Sequence, residues 1–205
     1  VRAVHSHIRF RGSFYYHPGI SDPSMATNLI NALWIEGSLE SRILSSLLLS
    51  LLDPNYSLEF LSHLPYLLSS TSNKYIYETV TSISFKRIRR EMPTQYLNLL
   101  EEWFNSSNVF IQILGIRVLY PYLDETTFED LPTIFRILKP TFVSISPRSQ
   151  KEIQKCISIL EKVSANETLV FLKQLIENNP FFSEHLRRML PGFSKEFQDT
   201  VRNII

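Results

Sequence analysis

The stretch KYIYETVTSISF, residues 74–85, holds the side chains with the most chemical promise: the carboxylate Glu78, then the hydroxyls Thr79 and Thr81. A carboxylate on a helix face can stabilise developing positive charge or orient a water. Directly after it, FKRIRR sets Lys86, Arg87, Arg89 and Arg90 at a helix end. Cations there either complement the helix dipole or meet phosphates. Further cations follow at Arg117, Arg136, Lys139, Arg148, Lys151 and Lys155. If the same helix of each pair faces inward, Lys86, Arg148, Lys151 and Lys155 share one groove.

Other constellations carry less. His5, His7 and His17 lie in an unpatterned stretch with no carboxylate beside them, so no metal site is expected. Cys156 sits in an amphipathic segment and reads as a small buried hydrophobe. No Cys–His pair at local spacing supports a nucleophile, and the glycines are isolated, so no phosphate loop and no cofactor is expected. Phe14, Tyr15 and Tyr16 stand beside Arg9 and Arg11. Interleaved aromatics and cations can stack on bases. They can equally anchor an N-terminal arm on the first helices, and the anchor is the favoured reading.

The elements that must position these residues read as helices throughout. The chain has 205 residues, 44% of them hydrophobic, and only 5 glycines. That composition buries a substantial core, and no regular strand-and-turn signals interrupt it. Helices are expected at about 23–36, 39–52, 56–69, 74–90, 94–105, 108–122, 127–139, 148–163, 167–178, 181–190 and 194–204. Asp22-Pro23, Ser146-Pro147 and Asn179-Pro180 supply cap-plus-proline starts, and Thr126 with Glu129 has capping-box spacing. Gly37 reads as a helix stop, and Pro121 and Pro140 as breaks.

Taken in pairs, these helices recur about every 33 to 40 residues, the period of HEAT-type helical hairpins. The expected fold is therefore all-α: a HEAT-like superhelix (an α-α solenoid) of about five hairpins. Residues 22–205 form one domain, preceded by an arm at 1–21. The helix at 108–122 is apolar nearly all round and belongs between neighbours. Asn108, Gln112 and Gly115 fall on one line of it, the face left for solvent, a ligand or a close backbone contact.

The net charge of +1 imposes no overall basic bias, though a local patch remains open. The longest apolar run, ILSSLLLSLL at 43–52, is too short and too serine-rich for a membrane span, which needs about 20 residues. No leader pattern opens the chain, and a single cysteine suits a reducing compartment. The expectation is a cytoplasmic protein without a membrane partner.

Three stretches together resemble the HEAT-like DNA alkylation repair family, which includes alkylpurine DNA glycosylases. They are ALWIEGSLESRILSSLLLSLL (32–52), LLEEWFNSSNVFIQILGIRVLYPYL (99–123) and ILEKVSANETLVFLKQLIEN (159–178). The resemblance implies a curved solenoid whose concave face cradles duplex DNA. In active members an aromatic and an acid stand four residues apart on a mid-chain helix, followed by an arginine and, later, a tryptophan. An alkylated purine is cationic, and its loss leaves an oxocarbenium-like sugar, so a carboxylate and aromatic faces suit it.

Here Tyr77 takes the aromatic's place and Thr81 the acid's. Ile113 stands where the arginine is expected, and Ser158 and Ile159 where the tryptophan is. Glu78, three residues before Thr81, is the one substitute acid on roughly that face. Three readings follow. The first is a DNA-binding relative with excision lost, contacting phosphates through Lys86, Arg87, Arg89, Arg90, Asn108, Gln112, Arg148, Lys151 and Lys155. The second is a scaffold with a protein partner in the groove. The third is an active glycosylase using Tyr77 and Glu78.

Overall fold

The computed structural model describes residues 23–69, 71, 73–124, 130–143 and 145–205. The expected arm, its histidines and aromatics, the Asp22 cap and the Thr126–Glu129 capping box lie outside the described residues. All regular structure described is helical: α1 (Pro23–Glu36), α2 (Leu39–Leu51), α3 (Pro54–Ser69), α4 (Lys74–Thr79), α5 (Lys86–Glu91), α6 (Pro93–Phe104), α7 (Val109–Leu123), α8 (Leu131–Val143), α9 (Gln150–Val163), α10 (Ala165–Asn178), α11 (Phe182–Met189) and α12 (Lys195–Arg202). None of these helices is long and apolar enough to cross a membrane.

Local chemistry accounts for most boundaries. The first amides of a helix lack intrahelical partners, and short polar side chains accept them. Ser38 Oγ takes the Ser41 amide at 3.2 Å, Asn73 Oδ1 the Tyr75 amide at 2.9 Å, and Asn108 Oδ1 the Phe110 amide at 2.9 Å. Gly37 ends α1 at φ 86, a left-handed conformation that suits glycine.

Three expectations need correction. Pro121 and Pro140 do not end their helices; α7 continues to Leu123 and α8 to Val143. A proline forfeits one backbone bond. Burial beyond each one offsets that loss, since Leu123, Thr141 and Phe142 are all at most 3% exposed. α8 also starts later than expected, at Leu131, with Asp130 Oδ1 accepting the Thr133 amide at 3.1 Å. Finally, the helix expected across 74–90 is interrupted. Between α4 and α5 the backbone widens into a π turn, Val80–Ser84. A π turn inserts a residue and loosens the carbonyl ladder. Hydroxyls answer it: Thr81 Oγ1 donates to the Tyr77 carbonyl at 2.8 Å, and Ser82 Oγ to the Glu78 carbonyl.

The helices pack in two rows. In one, α2 meets α1 and the π turn, the π turn meets α7, α7 meets α9, and α9 meets α11. In the other, α6 packs on α8 and α8 on α10. α2 presents small residues to its neighbours: Ser45 Oγ donates to the Ile30 carbonyl at 3.0 Å, and Ser84 Oγ reaches the Ser46 carbonyl at 3.2 Å. Side-chain bonds between distant parts of the chain recur at one separation. Arg117 reaches Glu152 and Arg136 reaches Glu101, each 35 residues away; Gln154 Nε2 reaches the Met189 carbonyl, also 35 away. The core is continuous across the rows, with Leu61, Val80, Leu100, Val118, Ile134, Ile157 and Leu172 all fully buried.

The apolar helix α7 is the central packing element, as its sequence requires. Of its polar line, Gln112 and Gly115 are buried and Asn108 is the cap. At Gly115 a methyl group would lie 2.8 Å from Phe104 Cε1, so this position serves a close contact with α6.

Candidate functional site

One pocket of about 550 Å³ opens where α4, the π turn, α7 and α9 meet, lined by Lys74, Tyr77, Glu78, Thr81, Arg117, Tyr120, Glu152 and Lys155. Residues three or four apart share a helix face. Tyr77 and Thr81 therefore project together, as do Arg117 and Tyr120 from α7, and Glu152 and Lys155 from α9.

The centre of the pocket is a charge cluster. Arg117 donates from Nε at 3.0 Å and from Nη2 at 2.7 Å, both to Glu152 Oε1. The other carboxylate oxygen, Oε2, lies 2.8 Å from the Tyr120 hydroxyl, which is also 2.9 Å from the Glu152 carbonyl. The pair is partly sheltered: the side chains of Arg117 and Glu152 are 38% and 19% exposed. The Arg117 guanidinium stands 5.7 Å from the centre of the Tyr77 ring, and Lys155 Nζ 4.3 Å from that of Tyr120. Both are cation–π distances.

Each tyrosine is held by the fold. The Tyr77 hydroxyl donates toward the end of α3, 3.0 Å from the Leu68 carbonyl and 3.1 Å from that of Thr71. It thereby serves orphan acceptors at a helix C-terminus. Its ring meets Phe110 edge-on at 6.2 Å. Burial raises the Tyr77 pKa, and the Arg117 charge offsets part of that rise. Burial pushes the Tyr120 hydroxyl far up, and the neighbouring Cys156 and Glu152 add to it. Both phenols stay neutral at physiological pH, so Tyr120 is a hydrogen-bond donor to Glu152 and not a base. Cys156, behind Glu152 on α9, is fully buried, and its thiol is pushed up to about 12.

The expected site residues divide. Tyr77, Glu78, Thr81 and Lys155 come together in the pocket. Glu78 sits at its rim, 59% exposed and 3.4 Å from Lys74. Thr81 spends its hydroxyl on the backbone. Lys86, Arg90, Arg148 and Lys151 are exposed, on α5, before α9 and on α9. Arg89 is 6% exposed and Gln112 is equally buried, which takes both away from any surface where phosphates would lie. Gln112 Nε2 donates to the Ser106 carbonyl at 2.9 Å. Arg87 is committed to Glu91 at 2.7 Å and to the Leu51 carbonyl at 2.9 Å, tying α5 to α2. Asn108 caps α7. Among the described residues, no three metal-ligating side chains converge.

Sequence reasoning missed Tyr120 and Glu152, and gave Arg117 no role. The signal was present in α7, where Arg117 is the one charged side chain in fifteen residues. A charge inside an apolar helix requires a partner, because an unpaired buried charge is costly. The partner is Glu152 on α9, 35 residues on.

Comparison with curated proteins and with solved structures finds no match. The model of the family described as DNA alkylation repair enzyme matches residues 16–194, from before the first described helix to the start of the last. The matched span contains every residue of the pocket, and the chain belongs to the DNA alkylation repair enzyme family.

Proposed function

We propose that this chain is a HEAT-like superhelix that holds duplex DNA along the face made by α4–α5, α7 and α9, and that it excises alkylated bases poorly or not at all. One observation carries the proposal. Lys74, Arg117 and Lys155 line one open pocket with the aromatics Tyr77 and Tyr120; the exposed Lys151 lies on α9 with Lys155, and the exposed Lys86 and Arg90 lie on α5, which packs against the π turn. Cations on neighbouring packed elements suit a regularly spaced phosphate backbone. The recurrent 35-residue bonds support the superhelical reading. Poor excision follows from Thr81, which carries no charge and donates its hydroxyl to the Tyr77 carbonyl.

The test is titration of the full chain against a fluorescent duplex and an abasic-site duplex across a range of salt. The expected result is measurable binding at low salt that falls linearly on a log–log plot. Absence of binding at low salt would favour a protein-binding scaffold instead.

A second reading, retained excision, is favoured by one specific feature. The pocket does contain a sheltered carboxylate, contributed by Glu152 and not by the position four residues after Tyr77. Release of alkylpurine by the wild type, lost in Glu152→Gln and kept in Glu78→Gln, would establish it.

A further inference from the structure

We infer that Glu152 is a built-in occupant of the anion seat at the Nε–Nη2 edge of Arg117, and that a DNA phosphodiester taking that seat must displace it. The inference rests on the DNA-holding reading above and adds to it a competitor within the chain. A guanidinium edge presents the same planar pair of donors to a carboxylate and to a phosphate, so two anions cannot share the Nε–Nη2 edge. Glu152 takes that fork through a single oxygen, with Nε at 3.0 Å and Nη2 at 2.7 Å.

The rest of the pocket suits such an exchange. Arg117 is steadied independently by the Tyr77 ring, so its position does not depend on Glu152 alone. Lys155 lies over Tyr120, one turn along α9 from Glu152, and Lys74 stands at the rim. The pocket therefore has three cations to two carboxylates, and Glu78 is already matched to Lys74. Glu152 is 19% exposed, so its carboxylate has water to turn into when it leaves the guanidinium. While it stays, it blocks the fork sterically and repels an incoming phosphate.

The decisive experiment measures duplex binding at low salt by the full-length wild type, Glu152→Gln, Arg117→Ala, the double variant and Glu101→Gln. Glu101 belongs to the other Arg–Glu pair, away from the pocket. Gln keeps the shape of Glu152 and one acceptor oxygen while removing the charge, and a thermal melt confirms that each variant is folded. Glu152→Gln is expected to bind about fivefold tighter, the effect of removing one like charge near a phosphate. The gain should vanish in the double variant and be absent in Glu101→Gln.

Equal or weaker binding by Glu152→Gln would overturn the inference and leave Glu152 as a residue that merely positions Arg117. A gain that survives loss of Arg117 would overturn it as a general charge effect. If neither wild type nor Glu152→Gln binds, the DNA-holding reading falls and the inference with it. If the wild type binds and Glu152→Gln gains nothing, only the inference falls. Inorganic phosphate at matched ionic strength supplies the last arm. A thermal shift in Glu152→Gln that needs Arg117 would assign the seat to free phosphate and overturn the duplex assignment; no shift is expected.

Discussion

Two arginine–glutamate pairs span the same number of residues and do different things. Arg117–Glu152 and Arg136–Glu101 each bridge 35 positions, the first from α7 to α9 and the second from α8 to α6. The second lies on the row of α6 and α8, with side chains 60% and 33% exposed. It borders a groove lined by Phe135, Val170 and Phe171, where Phe135 and Phe171 stack at 4.6 Å. Water screens such a pair, and its contribution to stability is small. The first pair is half-sheltered, bounded by two tyrosines, and its carboxylate has a second donor. The two bridges share a separation, and the surroundings decide whether such a bridge is a clasp on the surface or part of a pocket.

The largest expected effect breaks that comparison directly. Arg117→Ala should weaken duplex binding by about tenfold or more, because a charge-assisted contact is lost and Glu152 is left facing the phosphates. Arg136→Ala should leave binding within twofold, judged in the same titration. A comparable loss in both variants would mean that the pocket is not the contact.

Gly115→Ala tests the frame that holds α7 and hence Arg117. The added methyl would meet Phe104 at 2.8 Å, and overpacking of this kind costs about 2 kcal/mol in a denaturant melt. Unchanged stability would show that Phe104 moves aside freely. Tyr120→Phe is expected to do less. It removes the donor to Glu152 Oε2 while water can replace it, lowering stability by about 1 kcal/mol.

The smallest effect at neutral pH concerns Cys156, immediately behind the pocket. Its folded pKa, about 12, lies above the unfolded value of 9.0. Between those limits the unfolded chain loses the proton and the folded chain keeps it. Stability from this group is thus fully present below pH 9.0 and falls as pH rises toward about 12. Cys156→Ala should flatten part of that alkaline decline, followed by urea melts. The native thiol should also resist a disulfide reagent at neutral pH until the chain unfolds.

Much of the architecture was legible. The stop at Gly37 and the apolar girth of α7 marked a helix boundary and the central element correctly, while Asn108, read as a face for solvent or a ligand, proved to be the cap of α7. Those signals act within one turn of backbone, which a linear reading captures. Pro121 and Pro140 misled because the burial that outweighs them comes from other helices. The basic cluster at 86–90 misled in part for the same reason. It is one helix end by sequence, yet Arg89 faces the core, Arg87 grips α2, and Lys86 and Arg90 reach solvent.

By itself, the order of residues determined that the chain is helical, where most helices begin, and that the mid-chain tyrosine has a hydroxyl and not an acid four positions on. Those facts depend on short-range hydrogen bonding and on side-chain type. Only the tertiary structure decided which carboxylate reaches the pocket. Glu152 meets Arg117 because α9 lies beside α7, and that adjacency comes from burying the apolar faces of the two helices in the common core.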